Sequence, residues 1–380
     1  MMSDIGLLNN RDVIIRNILI LAFCCYCVSF LFTLSDSFWK YIIIILEVVC
    51  IFKSGNYRLN GFEKSVLVFE VFVIINAFIT MLSGQSFAST LVSKSMLALP
   101  TFIVFSYLGK KGVVTNKFIE VVVMLFTICA ILEFYHWRTF FENYSNAEYY
   151  TIGVNLFLFI IPLLVFIRRK LLHIVTFFIC ISYLLIGAKR GLILCAIIPS
   201  WLYIRFLFKD KRSVFFRLIV PFVIIALFYL MSDIISTYDV INARYQSTLE
   251  GDSSGRDLLY STYYNMWKDS GVFNKLFGFG TAATERTYLG MKAHSDWIEV
   301  LFDYGILGIV LYVFYFINLI KLYVKNRKSD YSSIYLCILW ICGLKSIFSF
   351  VFFDSELLAL AISYGYVVGK QYNSTTGNIA

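Results

Sequence analysis

The chain has 380 residues, of which 59% are hydrophobic and 15% are charged, and its mean hydropathy is +0.77. Soluble domains have about 45–50% apolar and about 25% charged residues, so this composition excludes a soluble globular protein. The net charge of +9 comes mostly from basic residues in the connections between apolar segments. It therefore reports membrane topology and gives no reason to expect nucleic-acid binding.

Apolar stretches about as long as a membrane-spanning helix recur along the chain. They predict an all-α polytopic membrane protein with about twelve transmembrane helices, at about 17–34, 39–52, 65–83, 91–108, 118–135, 151–167, 171–187, 191–208, 215–232, 298–320, 331–351 and 357–369. The predicted organisation is nine helices in 1–232, one large loop in 233–296, and three helices with a tail in 297–380. The first span lacks a small-residue cleavage site, so we expect it to stay attached.

The distribution of Lys and Arg predicts the orientation of these helices. One set of connections, which includes Arg168–Lys170, carries 21 basic residues, and the short connections on the other side carry only Lys40, Lys94, Arg138, Lys189 and Arg190. The basic side is the cytoplasmic side, so both termini are expected in the cytoplasm. The 233–296 loop is then expected outside.

That loop has local patterns of its own. Apolar or aromatic residues at 258, 259, 263, 266 and 267 have helical spacing, which predicts an amphipathic helix lying along the membrane surface with Arg256 at its start. Glycines in 274–280 predict a turn. Ser295 and Asp296 predict a cap for a helix that begins at Trp297.

Few residues in the chain are suited to chemistry. His294 ends the large loop at the start of a helix, whereas His173 follows basic residues and is expected at the cytoplasmic interface. Lys189 and Arg190 form a basic pair on the charge-poor side, where they indicate anion binding as an alternative to snorkelling. Arg256 at a helix N-terminus is also suited to phosphate.

Several other residues are expected either to pack inside the protein or to have one of two alternative roles. Tyr260, Tyr264 and Trp267 are candidate sugar or lipid contacts, although an aromatic belt would use the same residues. Glu47 and Glu70 are expected to pair with lysines inside the helix bundle. All nine Cys fall in predicted spans as packing residues, so neither a metal site nor a cofactor is expected.

Four features occur in order along residues 185–312. They are Gly187-Ala-Lys-Arg-Gly191, Gly255-Arg256, Gly278-Phe-Gly280, and His294 followed by Glu299-Val-Leu-Phe-Asp-Tyr-Gly-Ile-Leu-Gly308. This stretch resembles the O-antigen polymerase and O-antigen ligase superfamily of bacterial surface polysaccharide assembly. The resemblance implies a GT-C-like glycosyltransferase of the bacterial inner membrane that uses undecaprenyl-diphosphate-linked sugars without a metal. Arg190 and Arg256 would bind the diphosphate, and His294 would be catalytic. This chain has Lys189 and Ser295 where the family commonly has Ser and Asn.

Physical chemistry agrees with these implied roles. A histidine, with an ordinary pKa of about 6.5, can take the proton of an acceptor hydroxyl near neutral pH. Arginines can stabilise the leaving diphosphate electrostatically, and a single direct displacement predicts inversion at the anomeric carbon. The expected partners are lipid-linked oligosaccharide donor and acceptor, membrane lipid, a chain-length regulator and a flippase.

Three functions remain open at this point, and a polymerase is favoured. A ligase that transfers finished polymer to lipid A-core would use the same chemistry. A lipid-linked-oligosaccharide flippase or another transporter would need charges lining a central path and paired halves. Here the charges lie mostly at the ends of the spans.

Overall fold

The computed structural model describes residues 10–31, 36–53, 58–84, 97–141, 153–187, 189–207, 255–352 and 354–376. Within these ranges the chain is helical and has no β-strand. Its α-helices are α1 (Asn10–Cys27), α2 (Asp36–Lys53), α3 (Gly61–Leu82), α4 (Pro100–Lys110), α5 (Asn116–Phe141), α6 (Asn155–Ile160), α7 (Lys170–Ile186), α8 (Arg190–Leu207), α9 (Arg256–Lys268), α10 (Val272–Phe277), α11 (Ala283–Arg286), α12 (Asp296–Asn326), α13 (Ser332–Phe348) and α14 (Leu357–Thr376).

In the described residues, three helices are long and apolar enough to cross a membrane: α3, the Asn116–Trp137 part of α5, and α12. The expectation of an all-helical membrane protein is confirmed to this extent, and the number of twelve spans stays a prediction. The predicted span 215–232 and the first part of the predicted loop, 233–254, lie outside the described residues. The same holds for Lys94.

The chain divides into two compact units, and the division differs from the three segments predicted from sequence. One unit combines Met1–Thr115 with Ser254–Ala380, and the other is Asn116–Ser253. The large predicted loop therefore belongs, from Ser254 onward, to the same unit as α1–α4 and α12–α14.

In the first unit, a buried carboxylate links three helices. Asn60 and Glu63 form a capping box at the start of α3, in which each side chain accepts a hydrogen bond from the other's backbone N–H. Glu63 also accepts hydrogen bonds from Ser106 of α4 and from the Tyr364 hydroxyl of α14, the latter at 2.9 Å. Close packing of α4 on α14 depends on small residues, since a Cβ on Gly365 would lie 2.2 Å from the Phe105 carbonyl oxygen.

One buried carboxylate of this unit has an acidic neighbour. Glu47 in α2 is buried, and within the described part of the chain neither of its carboxylate oxygens has a hydrogen-bond partner. The expected lysine partner of Glu47 is therefore not found there. Glu47 lies near Glu70 of α3, so its charged neighbour is another acid.

Helix α12 is broken near its start, and the break positions the large loop. Gly305 has φ 67° and ψ −160°, a conformation open almost only to glycine. A Cβ on Gly305 would lie 2.6 Å from the Gly278 nitrogen and from the Leu276 carbonyl carbon and oxygen. The turn after α10 therefore packs directly on the backbone of α12, and the Phe279 and Gly280 N–H groups donate to the carbonyls of Phe302 and Asp303 at 3.0 Å.

The second unit buries one of the three histidines. His173 in α7 is 4% exposed, and its Nδ1 lies 2.5 Å from the Tyr203 hydroxyl of α8. The side chain is enclosed between two packed helices, and its expected place at the cytoplasmic interface stays a prediction. Lys189, just before α8, donates to the Asn155 amide oxygen at 3.2 Å.

Candidate functional site

Arg256 reaches the C-terminal end of α13. The predicted helix is present as α9, and Arg256 is its first residue. Its Nη1 donates to the Phe348 carbonyl at 3.0 Å, which satisfies one of the carbonyls that a helix leaves without an intrahelical partner at its C-terminus. A guanidinium has five N–H donors, so this bond leaves others for an anion.

His294 lies at the same end of α13. Its ring centroid is 5.8 Å from that of Phe350, which follows α13, and its side chain is exposed. The residue has a φ of 57°, in the left-handed region that non-glycine residues seldom occupy. Its neighbours fix this conformation: the Ala293 N–H donates to Glu299 at 2.9 Å, and Ser295 Oγ lies 3.4 Å from the Ser346 carbonyl.

Tyr260 connects these two residues. One turn after Arg256 in α9, its hydroxyl lies 3.3 Å from the carbonyl oxygen of His294 and 3.4 Å from that of Ile347, and it donates to this pair of acceptors. Burial raises the pKa of Tyr260, and the nearby Arg256 opposes that rise, so the hydroxyl stays a donor at neutral pH. Tyr260 is therefore placed to hold the His294 backbone, and its sugar or lipid contact stays a prediction.

A second cation stands beside the histidine. The Lys292 ammonium lies 5.7 Å from the centre of the Phe350 ring and 2.9 Å from a carboxylate oxygen of Glu285. Lys292 was not predicted from the sequence, in which its one signal is its position two residues before His294. With Arg256 it gives this end of α13 two basic side chains.

Three buried carboxylates at the start of α12 hold the loop segments around the site. Asp296 accepts hydrogen bonds from the N–H groups of Val351 at 2.8 Å and Phe352 at 3.2 Å. Glu299 accepts from Ala293 and from Thr284, and Asp303 accepts from the N–H groups of Ala282 and Thr284. Each carboxylate thus binds a segment that carries or adjoins a site residue.

The predicted cap of this helix is wrong in its details. The helix begins at Asp296, one residue earlier than expected, and Ser295 at its N-cap makes no side-chain capping bond. Asp296 does not cap it either, because its buried carboxylate turns to Val351 and Phe352.

A buried ion pair fixes the segment on which His294 packs. The Lys345 ammonium, near the end of α13, contacts the Asp354 carboxylate and the Phe350 carbonyl. Burial of Asp354 opposes its ionisation, but the charge of Lys345 and hydrogen bonds with Glu356 outweigh burial and lower the pKa of Asp354. Phe350 and Asp354 are therefore both held by the last turn of α13.

The apolar face of α9 packs largely on protein, and the expectation that this helix lies along the membrane surface stays a prediction. Tyr263 is buried with Ala283, Ala293 and Phe302, and this group is named the loop cluster. Leu259, Met266 and Trp267 pack against it, and the Trp267 indole donates to the Lys275 carbonyl at 3.2 Å. Leu258, which was predicted to belong to this face, remains exposed. Tyr264, a candidate sugar or lipid contact, is 46% exposed, and its ring lies 5.8 Å from that of Trp267.

The structure thus brings Arg256, Tyr260 and His294 together. Lys189 and Arg190 belong to the other unit, where Arg190 is the first residue of α8, and the Arg190 side chain lies outside the described part of the structure. Among the described residues, no three His, Cys, Asp or Glu side chains are grouped closely enough to hold a metal ion.

In comparisons with known proteins, no family model matches this chain, and no curated protein sequence matches it.

Proposed function

We propose that this chain is a surface-polysaccharide polymerase of the bacterial inner membrane. It joins undecaprenyl-diphosphate-linked repeat units on the periplasmic side, and both of its termini are cytoplasmic. The observation that supports this function most is the convergence of Arg256 and His294 on the C-terminal end of α13. They come from opposite ends of the 255–294 segment, and a reaction that needs both a base and an anion site would use them together.

In this proposal Arg256 binds the diphosphate of the donor. Its fixed contact to the Phe348 carbonyl orients the planar guanidinium, and the remaining donors match phosphate oxygens. Negative charge develops on the diphosphate as it leaves, so a preorganised cation lowers the barrier to transfer. Lys292, which is paired with Glu285, lies on the same Phe350 ring as His294, and the anion-binding roles of Lys189 and Arg190 stay predictions.

His294 acts as the general base. Its imidazole takes the proton of an acceptor sugar hydroxyl as that oxygen bonds to the anomeric carbon of the donor. The bond from the anomeric carbon to the diphosphate oxygen breaks, and undecaprenyl diphosphate leaves with the electron pair. The product has inverted anomeric configuration, because a single displacement occurs.

The test uses the source bacterium with its chromosomal gene deleted and variants supplied from a plasmid. His294→Ala should reduce transfer by about 10²–10⁴-fold, the usual contribution of a general base, and leave single repeat units where wild type gives a ladder. Arg256→Lys should also be severely impaired, because lysine keeps the charge and loses the bidentate fork. His136→Ala and Arg327→Lys are matched controls outside this site, and membrane levels of every variant are measured.

The products separate the rival functions. Single repeat units on undecaprenyl diphosphate indicate a lost polymerase, whereas full-length polymer retained on undecaprenyl diphosphate indicates a lost ligase. Lipid-linked units trapped on the cytoplasmic side indicate a lost flippase. Full ladders from both His294→Ala and Arg256→Lys contradict the assignment of this site.

A further inference from the structure

Helix α10 has an apolar face that remains exposed among the described residues. Val272 and Phe273 are 74% and 70% exposed, and Leu276 and Phe277 are 43% and 42% exposed. In a helix these four positions lie within an arc of about 140°, so they form one face. The rings of Phe273 and Phe277 lie 5.0 Å apart on it. This four-residue surface is named the α10 face.

The position of the α10 face relative to the membrane follows from α12. From Ile306 to Val324 this helix carries exposed apolar side chains at helical spacing, which include Ile306, Val310, Phe314, Ile317 and Ile320. That stretch is about 19 residues or about 28 Å long, close to the hydrocarbon thickness of about 30 Å. Lys321 lies in the last turns of this stretch, where its long side chain can reach the polar region, and further charged residues follow from Lys325 onward. The other boundary of the hydrocarbon therefore lies near Gly305 and Ile306.

Helix α10 lies at that boundary. Its last turn packs on the break in α12, where a Cβ on Gly305 would lie 2.6 Å from the backbone of Leu276. The Gly278 turn continues this contact along the Phe302 and Asp303 carbonyls. Leu276 of the α10 face therefore lies next to Gly305, which directly precedes Ile306, the first exposed residue of the span.

We propose that α10 is an interfacial membrane anchor. The α10 face inserts into the acyl-chain boundary of the leaflet at which the α12 span begins. Lys275 and the exposed Lys268 lie beside this face and can contact lipid phosphates. The apolar side of α9 is largely occupied by the loop cluster, whereas the α10 face is exposed.

The anchor has a consequence for the loop that does not depend on any enzymatic activity. Helix α10 is joined to α9 by only three residues, and the Trp267 indole is hydrogen-bonded to the Lys275 carbonyl. Insertion of the α10 face therefore holds α9 near the lipid surface through a short rigid connection. The loop is fixed by lipid on one side and by α12 on the other.

The experiment measures the depth of single nitroxide labels in the full chain. Variants Phe273→Cys and Val272→Cys are made in a background without the nine native cysteines and reconstituted in vesicles of phosphatidylethanolamine and phosphatidylglycerol. Collision rates with oxygen and with a water-soluble nickel chelate are then compared by electron paramagnetic resonance. Tyr288→Cys, at an 81% exposed position in the same loop, is the aqueous control, and Val310→Cys is the control within the span.

Labels at residues 272 and 273 should collide preferentially with oxygen, as at 310, and the label at 288 should collide preferentially with the chelate. Equal chelate access at 273 and 288 overturns the anchor, and shielding of 272 and 273 from both reagents overturns it in favour of a protein partner. If the cysteine-free background does not insert, wild-type protein is photolabelled with a phospholipid that carries an acyl-chain diazirine. Adducts are expected in 272–277 and not in 283–291, and the reverse pattern contradicts the proposal.

Discussion

Replacement of Gly305 by alanine tests how the loop is seated on α12. Two costs follow from the structure. Alanine at φ 67° and ψ −160° is strained by about 1–3 kcal/mol. Its Cβ would also lie 2.6 Å from three backbone atoms of Leu276 and Gly278, and relief of such an overlap costs about 1–3 kcal/mol more.

Gly305→Ala should therefore lower the free energy of unfolding by about 2–6 kcal/mol. Gly343→Ala is the matched control, because Gly343 is helical and a Cβ there would meet only one ring carbon of Phe316 at 3.9 Å. That control should be neutral or stabilised by about 0.5–1 kcal/mol, since alanine is the better helix former. Both are measured by SDS-induced unfolding of purified protein in mixed micelles. A Gly305→Ala variant as stable as Gly343→Ala would falsify the proposed seating of the loop.

Further outcomes are expected at other positions. Asp354→Asn removes the carboxylate that contacts the buried Lys345 ammonium and should cost about 3–5 kcal/mol in the same unfolding assay. The folded state lowers the pKa of Asp354, so the ionised carboxylate stabilises the fold fully at pH values above its unfolded pKa of about 3.9. This stabilisation is lost as the pH falls through the folded pKa. Wild type should therefore lose more stability than Asp354→Asn when the pH is lowered below about 4. Tyr260→Phe should lower stability by only about 0.5–1.5 kcal/mol, and in a transfer assay it should reduce kcat less than His294→Ala does, with little change in KM; an equal loss would contradict a positioning role. In cells, a membrane-impermeant maleimide applied from outside should label Tyr288→Cys in a cysteine-free background, and protection there would reverse the predicted orientation.

The features that the sequence predicts correctly are local. Helical spacing placed α9 and its start at Arg256, and the two glycines of Gly278-Phe-Gly280 placed the turn. Such patterns depend on neighbours within a few residues, so they can be recognised without tertiary contacts.

The features that it misses depend on residues far apart in the chain. Nothing beside Asp296 indicates that its carboxylate binds the backbone of Val351, 55 positions later, and nothing beside Arg256 indicates its contact with Phe348. The face of α9 was identified by its periodicity, but periodicity shows only that a face is apolar and not whether protein or lipid covers it. The loop cluster covers the apolar face of α9 through Ala283, Ala293 and Phe302, which lie far from α9 in the sequence.

The three carboxylates at the start of α12 also affect the order of assembly. Residues 255–293 leave the ribosome before Asp296, Glu299 and Asp303, and well before Lys345 and Asp354. The backbone of this segment cannot form its hydrogen bonds to Glu299 and Asp303 until those residues have been synthesised. Completion of this region is a late event in biosynthesis, and a nascent chain stalled before α12 should expose 255–293 to proteases.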